Sequence, residues 1–560
     1  MDQLATDRFG VWNAATKPDA VSPPSDAFAF NTLAALFRHS ATRHAERPAL
    51  WVEGAAVSYG ELHDLATRIA HGLSDAGFAH GSARCAILGN RGLIDFAGIL
   101  GAILSRCTYV PLNVRHPPQR LAQIMHEAEA QALVVDQHHL DQARGLLDAV
   151  SQPLLVLLPD TIAAPDWAVT MRRHRFLCCG DLSQAAVAGE QDCSEDGAYL
   201  LFTSGSTGAP KGVLVRNRNV MPYLRSVAAR YVPTPDDRCT QLFDLTFDLS
   251  VHDMFLCWGA GATLFRIPDN VRFAPREFVR RHELTMWFSV PSTAAMMLGL
   301  RALRPGDFPS LRLSLFCGEA LPKRLAAAWT AAAPNAVIEN LYGPTEATIA
   351  LTGFRVPRGI EAFDALPEVV PIGMPLPGQH ALPVDSSSQP AADGEEGELC
   401  LAGSQVTDGY WRRADLTTQR FVCFDWDAAD RIWYRTGDRV RHTREHGLVF
   451  LGRLDRQVKI AGHRVELQEI EAVLQHAAGS NAAVIAWPLG PDGLARGIVG
   501  FVSQTARSSD DMLDACRQAL PPYAVPSAIH QVEDWPLNSS GKTDHARLRE
   551  LMETPKCSKT

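Results

Sequence analysis

Between residues 83 and 136 the chain takes turns between short apolar runs and longer amphipathic ones. Residues 83–88, 108–112 and 133–136 have the length and apolar content of buried strands, while 93–104 and 119–130 carry helical spacing. Strands separated by helices cannot pair as hairpins. They are joined by crossovers, so they lie parallel in one sheet with helices packed on its faces. This excludes an all-helical bundle and an all-β sandwich. A second α/β stretch follows from about 197 to 355. A third, from about 370 to 452, is Gly-rich with short strands at 398–402 and 448–451, the pattern of a small β-barrel or sheet. The charged run Gly452-Arg-Leu-Asp-Arg-Gln-Val-Lys459 then precedes an amphipathic helix at 466–476 and a last compact α/β segment. The expected class is α/β, in four parts. These are a loosely held arm (1–28), a large unit with a β-barrel-like subdomain (29–454), a small mobile α/β unit (455–550) and a tail (551–560).

Composition narrows the class. With 46% apolar residues and 21% charged, the chain has ample surface for a core. Its 62 acids outnumber 53 bases, a net charge of −9, which argues against a nucleic acid partner. The uncharged stretch 284–300 is 17 residues long and holds Pro291, short of the roughly 20 residues a membrane span needs. The N-terminus lacks the basic start and apolar run of a secretory signal. Twelve cysteines without any C-x-x-C read as reduced thiols, so a cytoplasmic protein with no membrane partner is expected.

The most informative segment is Leu201-Phe-Thr-Ser-Gly-Ser-Thr-Gly-Ala-Pro-Lys-Gly-Val213. An apolar strand runs into a loop of glycines, hydroxyls and one lysine. Glycines let backbone N–H groups approach an anion, hydroxyls add donors, and the lysine is a point charge, so the loop suits a polyphosphate. It is not a Walker loop, because its lysine follows Gly-Ala-Pro and is followed by Gly212 rather than by a serine or threonine.

Further motifs follow in order: Val57-Ser-Tyr-Gly-Glu-Leu62, Tyr109-Val-Pro-Leu112, Phe247-Asp-Leu-Ser-Val-His-Asp-Met-Phe255, Asn340-Leu-Tyr-Gly-Pro-Thr-Glu346, Gly397-Glu-Leu-Cys-Leu-Ala-Gly403, Tyr434-Arg-Thr-Gly-Asp438, the stretch from Gly452 to Leu467, Leu520-Pro-Pro-Tyr523 and Asn538-Ser-Ser-Gly-Lys542. Together with the loop, this series resembles the adenylate-forming enzymes, and among them the adenylation domains of nonribosomal peptide synthetases, over about residues 30–548.

The resemblance implies a reaction and a set of roles. A carboxylate attacks the α-phosphate of ATP, pyrophosphate leaves, and the acyl group then passes to a thiol. Thr203, Ser206, Thr207 and Lys211 would hold the phosphates, and Glu346 would bind Mg²⁺ as a hard oxygen ligand beside Thr345. Tyr342 would stack on adenine near Gly318, Asp438 would accept from both ribose hydroxyls, and Arg453 would complete the nucleotide site. Lys542 would bridge the substrate carboxylate and the α-phosphate, offsetting charge as it develops. Asp455 would be the hinge about which the small unit swings, and the loop 459–464 would line the thiol tunnel. His463 reads equally as a contact to that thiol arm or as a solvated loop histidine.

Asp248 is the specificity clue. It matches the aspartate that pairs with an α-ammonium group, and a buried acid beside ATP is unfavourable unless a cation compensates it. Leu249, His252, Phe288, Leu315, Cys317, Leu341, Ile349 and Ala350 would line the side-chain pocket, with Phe288 and Leu341 limiting its depth. A small to medium, largely apolar α-amino acid is therefore expected, with an acyl-CoA ligase of a small carboxylic acid as the alternative. Only 18 residues follow Lys542, which leaves the expected phosphopantetheine carrier protein as a separate chain.

Overall fold

The computed structural model describes residues 26–78, 80–183, 193–203, 210–272, 274–359, 363–490, 495–537 and 543–553. Seven strands form one sheet in the order Arg175–Cys178, Leu155–Leu158, Ala132–Val135, Arg84–Gly89, Thr108–Asn113, Gly197–Thr203, Lys211–Arg216. All neighbours are parallel except the last pair, whose hairpin brackets the glycine-hydroxyl loop. The helix Leu93–Leu104 falls where its periodicity puts it and is buried along nearly its whole length, including Phe96, Ile99 and Leu100.

The second sheet has nine strands, and its order breaks the order of the chain. Arg238–Gln241, Thr263–Arg266, Met286–Ser289, Leu313–Phe316 and Val337–Tyr342 are joined by Pro48–Val52 and Ala55–Ser58 from far upstream. Pro48–Val52 pairs in parallel with Thr263–Arg266. Trp258, buried on the helix Leu249–Gly259, donates its indole N–H to the Ala49 carbonyl at 3.1 Å and stitches the early segment to that sheet. The Val57-Ser-Tyr-Gly-Glu-Leu62 motif is a helix start. Ser58 Oγ accepts from the Glu61 N–H at 3.2 Å while Glu61 Oε2 accepts from the Ser58 N–H at 2.8 Å, a reciprocal cap.

The Gly-rich stretch forms a five-stranded antiparallel sheet of Gln379–Val384, Glu396–Gly403, Phe421–Val422, Trp433–Thr443 and Gly447–Arg453; its pairings do not close into a ring. Beyond Leu454 a hairpin, Gln457–Ile460 with His463–Glu466, leads into Leu467–Ala478 and a three-stranded sheet of Ala482–Ala486, Ile498–Val502 and Ala528–Gln531. This last part has a core of its own around Ile470, Leu474, Val484 and Val502.

The arm expected over residues 1–28 is too long by its last residues. Asp26–Ala29 is a 3₁₀ turn with Ala27 and Phe28 buried. Phe28 packs against Gly259, and Arg225 holds the Phe28 carbonyl at 3.1 Å. An aromatic ring that can bury itself on the core outweighs the Pro-Ser-Ala composition around it. No described helix is long and apolar enough to cross a membrane.

Candidate functional site

Both parallel sheets deliver chain to one cleft at the C-terminal ends of their strands, where open α/β sheets place ligands. Leu112 and Asn113 come from the first sheet's strand Thr108–Asn113, Phe202 and Thr203 from Gly197–Thr203, and Tyr342 from the end of Val337–Tyr342, followed by Gly343, Pro344 and Thr345. Asp248, Leu249, Cys317, Gly318, Asp438 and Arg453 complete the walls, and the hairpin residues Lys459, Gly462, His463 and Arg464 roof them. The cleft holds a cavity of about 110 Å³.

Asp438 and Arg453 stand directly opposite each other on paired strands. Arg453 Nη1 donates to Asp438 Oδ1 at 2.7 Å, and the Tyr342 hydroxyl donates to Asp438 Oδ2 at 2.5 Å. Arg453 also holds Asp455 through Nε and Nη2, both at 2.7 Å. Burial would raise the Asp455 carboxyl, but these charged hydrogen bonds win and hold it below the usual carboxylate range. One guanidinium therefore ties the residue expected at the ribose to the residue expected at the hinge.

Gly318, at φ +91°, follows the strand Leu313–Phe316 and turns the chain under the cleft; this backbone region favours glycine. Asp248 occupies the N-cap position of Leu249–Gly259 yet makes no capping bond. Its carboxylate faces the cleft, where Oδ2 accepts the Ile349 N–H at 3.2 Å. Burial pushes this carboxyl up to about 6, against hydrogen bonds from Thr345 and Ile349 and with Glu346 adding to the rise. A helix-capping aspartate has no such environment. The Lys459 ammonium offsets part of that burial yet leaves the carboxyl raised, so a further cation beside it would be favourable.

Glu346 is 1% exposed. Burial would raise its carboxyl too, but Arg464 and the Tyr410 hydroxyl overcome it and hold the group at about 2. Arg464 Nη1 reaches Oε2 at 2.9 Å and Oε1 at 3.1 Å, and Tyr410 donates to Oε1 at 2.7 Å. Lys211 pairs with Glu466 of the same hairpin at 3.1 Å. Gly462 N–H donates to Glu319 Oε1 at 2.6 Å, and its φ of +82° and contact with Val290 leave no room for a side chain. The hairpin thus fastens onto two residues expected at the phosphates and the metal.

His463 is not a solvated loop residue. It stacks on Tyr523 with ring centroids 3.6 Å apart and meets Phe247 edge-on at 4.6 Å. Of the other sequence candidates, Leu249 and Cys317 border the cleft beside Asp248, whereas His252, Phe288, Leu315, Leu341, Ile349 and Ala350 lie behind that wall, each at most 3% exposed. Ser206, Thr207 and Lys542 lie outside the described residues. Sequence reasoning did not single out Glu319 or Tyr223, and it named Lys459 only as the first residue of the loop expected to line the thiol tunnel. Lys459, whose ammonium burial drives down, sits in the cleft and is signalled only by its place in the Gln-Val-Lys-Ile-Ala-Gly run.

Comparison with known proteins agrees with this layout. Residues 37–411 match the AMP-binding enzyme family, and residues 469–542 match the AMP-binding enzyme C-terminal domain. An L-proline--[L-prolyl-carrier protein] ligase of Streptomyces coelicolor is 34% identical over 532 residues, covering 91% of this chain and 95% of that protein. Tyrocidine synthase 3 of Brevibacillus parabrevis is 32% identical over 92% of this chain, which spans only 8% of that protein's length. Among solved structures, the Vibrio cholerae adenylation domain AlmE in complex with glycyl-adenosine-5′-phosphate superposes with a TM-score of 0.84 at 32% identity, covering 93% of this chain and 98% of that one. With both family regions matched and the cleft built from their motifs, the chain belongs to the AMP-binding enzyme family.

Proposed function

We propose that the protein activates an α-amino acid with ATP and then loads it onto the phosphopantetheine thiol of a carrier protein. The observation that carries this reading is Asp248, a buried carboxylate turned into the same cleft as Tyr342, Asp438 and Thr203. In the first step a substrate carboxylate oxygen bonds to the α-phosphorus. The bond from that phosphorus to the bridging oxygen breaks, and pyrophosphate leaves with the electron pair. In the second, the carrier thiol loses its proton and its sulfur bonds to the acyl carbon, while the acyl–oxygen bond breaks and AMP leaves.

Tyr342 packs the adenine, Asp438 takes the ribose hydroxyls with Arg453 behind it, and Thr203 and Lys211 face the phosphates together with Ser206 and Thr207. Glu346 suits Mg²⁺, because it is an ionised hard-oxygen donor next to Thr345, which lines the cleft. The metal would neutralise phosphate charge there. Lys542 brings positive charge to the α-phosphate and substrate carboxylate in the adenylating arrangement, and rotation about Asp455 exchanges it for the hairpin seen over the cleft. The proline ligase and the glycyl-adenylate complex named above support the amino acid reading. The reaction belongs in the cytoplasm, where ATP is made and thiols stay reduced; the described cysteines form no disulfide.

The test is ATP–pyrophosphate exchange with a panel of α-amino, β-amino, aryl and short fatty acids, followed by transfer to a phosphopantetheinylated carrier or to CoA. Exchange driven by α-amino acids, with transfer to the carrier, is expected. Exchange driven only by acids lacking an ammonium group, with transfer to CoA, would replace this reading by the acyl-CoA ligase.

A further inference from the structure

Nine residues form the expected substrate pocket, yet only Asp248, Leu249 and Cys317 reach the cleft. Of the others, His252, Leu315 and Phe288 are placed relative to Leu249 and Cys317 by the backbone. Leu249 and His252 are three apart on one helix, so His252 stands one turn deeper on the same face. Leu315 and Cys317 are two apart along one strand and its extension, and Phe288 is the register neighbour of Leu315 on the adjoining strand. A substrate side chain that passes Leu249 and Cys317 therefore runs into His252 and Phe288.

Those two rings form a second layer. Their centroids are 4.6 Å apart, and Phe243 meets Phe288 edge-on at 4.9 Å. The stack is anchored from a different helix, Asn217–Tyr231, where the fully buried Tyr223 shares a 2.7 Å hydrogen bond with His252 Nδ1. Burial keeps His252 neutral, at about 3, so the bond persists across the working pH range. Behind the rings lies a void of about 20 Å³, lined by Cys239, Cys257 and Met286. That is room for about one water and not for a displaced ring, so the wall has nowhere to retreat.

We infer that the His252–Phe288 stack, positioned by Tyr223, closes the side-chain compartment, so that the enzyme selects α-amino acids whose side chains hold at most two non-hydrogen atoms, as in glycine, alanine, serine or cysteine. The inference rests on the amino acid reading of Asp248 and narrows it below the small-to-medium range the sequence suggested. Tyr223 touches no substrate. It is a specificity residue that acts through His252.

The experiment compares kcat/KM in pyrophosphate exchange across glycine, alanine, serine, valine, proline, leucine and phenylalanine. The smallest three are expected to exceed the largest by roughly 100-fold or more, the scale set by about 10- to 200-fold per excess methylene. Phe288→Ala should open the layer onto the void and raise valine and leucine by roughly 10- to 100-fold. Tyr223→Phe keeps the ring and removes only the anchoring hydroxyl. It should shrink the glycine-to-valine ratio about tenfold, with the change in the KM ratio exceeding any change in kcat and the unfolding midpoint staying close to the parent's. A tyrosine that merely supported the fold would lower exchange with every amino acid in proportion. Preference of the parent enzyme for proline, leucine or phenylalanine would overturn the inference while leaving the amino acid reading intact. Exchange confined to deaminated acids would instead defeat that reading, and the inference with it.

Discussion

The clamp between Arg464 and Glu346 makes a sharp test of how the hairpin and the cleft are coupled. Replacing Arg464 by methionine keeps an unbranched stem and removes the charge. Glu346 would then be a buried carboxylate without its cation. Its drop from the ordinary 4.5 to about 2 is worth about 3 kcal/mol, shared between Arg464 and the tyrosine hydroxyls, and removing one partner of a buried pair costs about 3–5 kcal/mol. The chain can escape this cost without unfolding, by letting the hairpin leave. About 3 kcal/mol is roughly a hundredfold in that equilibrium. Hydrogen exchange of the hairpin amides is the direct assay, and Arg464→Met should lower their protection by roughly a hundredfold. Transfer to the carrier thiol should fall by a similar factor, with pyrophosphate exchange changing only a few-fold. The pH dependence has a definite sign. The Glu346 carboxyl is held down in the folded protein, so its contribution is complete above about 4.5 and is lost as pH falls towards about 2. Acid should therefore loosen the parent hairpin, and the variant should lack that step. Unchanged hairpin protection with equal loss of both half-reactions would refute the clamp and assign Arg464 to the nucleotide.

Three further outcomes follow from the cleft. Free Asp248 titrates at about 6, so kcat/KM for an amino acid should drop about tenfold per pH step below that point, as the carboxylate that pairs the ammonium is lost. His116, His252 and His463 are all pushed to 4 or lower by burial and cannot supply that limb, whereas the Glu319 carboxyl is raised by burial as well, so Asp248→Asn should abolish the limb and Glu319→Gln should leave it; a limb that survives Asp248→Asn would reject the assignment. Asp455→Pro removes the carboxylate that Arg453 grips and stiffens the backbone. It should depress thiol transfer well beyond adenylate formation, and matched losses in the two half-reactions would count against the hinge. Lys542→Ala should reduce adenylation by orders of magnitude while ATP binding, followed by calorimetry, stays within a few-fold; equal losses would make Lys542 a ground-state binding residue.

Several cleft residues were legible because they stand in short runs of glycine, proline, hydroxyl and carboxylate. Tyr342 ends a strand, Asp248 precedes a helix and Asp438 follows Thr-Gly within a strand, and local chemistry of that kind survives in a linear reading. Partnerships were not legible. Glu346 and Arg464 are 118 residues apart, and Tyr223 and His252 are 29 apart on different helices, so neither spacing carries a signal. Of the nine residues expected at the pocket, Asp248, Leu249 and Cys317 border the cleft and His252 stacks on Phe288, an arrangement that depends on which ring packs against which.

The sequence alone determined the alternation of strand and helix, the parallel sheets that alternation forces, and the residue types at the mouth of the cleft, since each follows from periodicity or local bonding. It could not determine that Pro48–Val52 leaves its neighbours to join the second sheet, that the hairpin Gln457–Ile460 and His463–Glu466 reaches over to Glu346 and Lys211, or that His252 and Phe288 stack into a wall. Those were decided by tertiary structure. Sheet order, ion pairing and ring packing depend on free energies between segments distant in the chain, and such terms exist only once the whole core has brought the segments together.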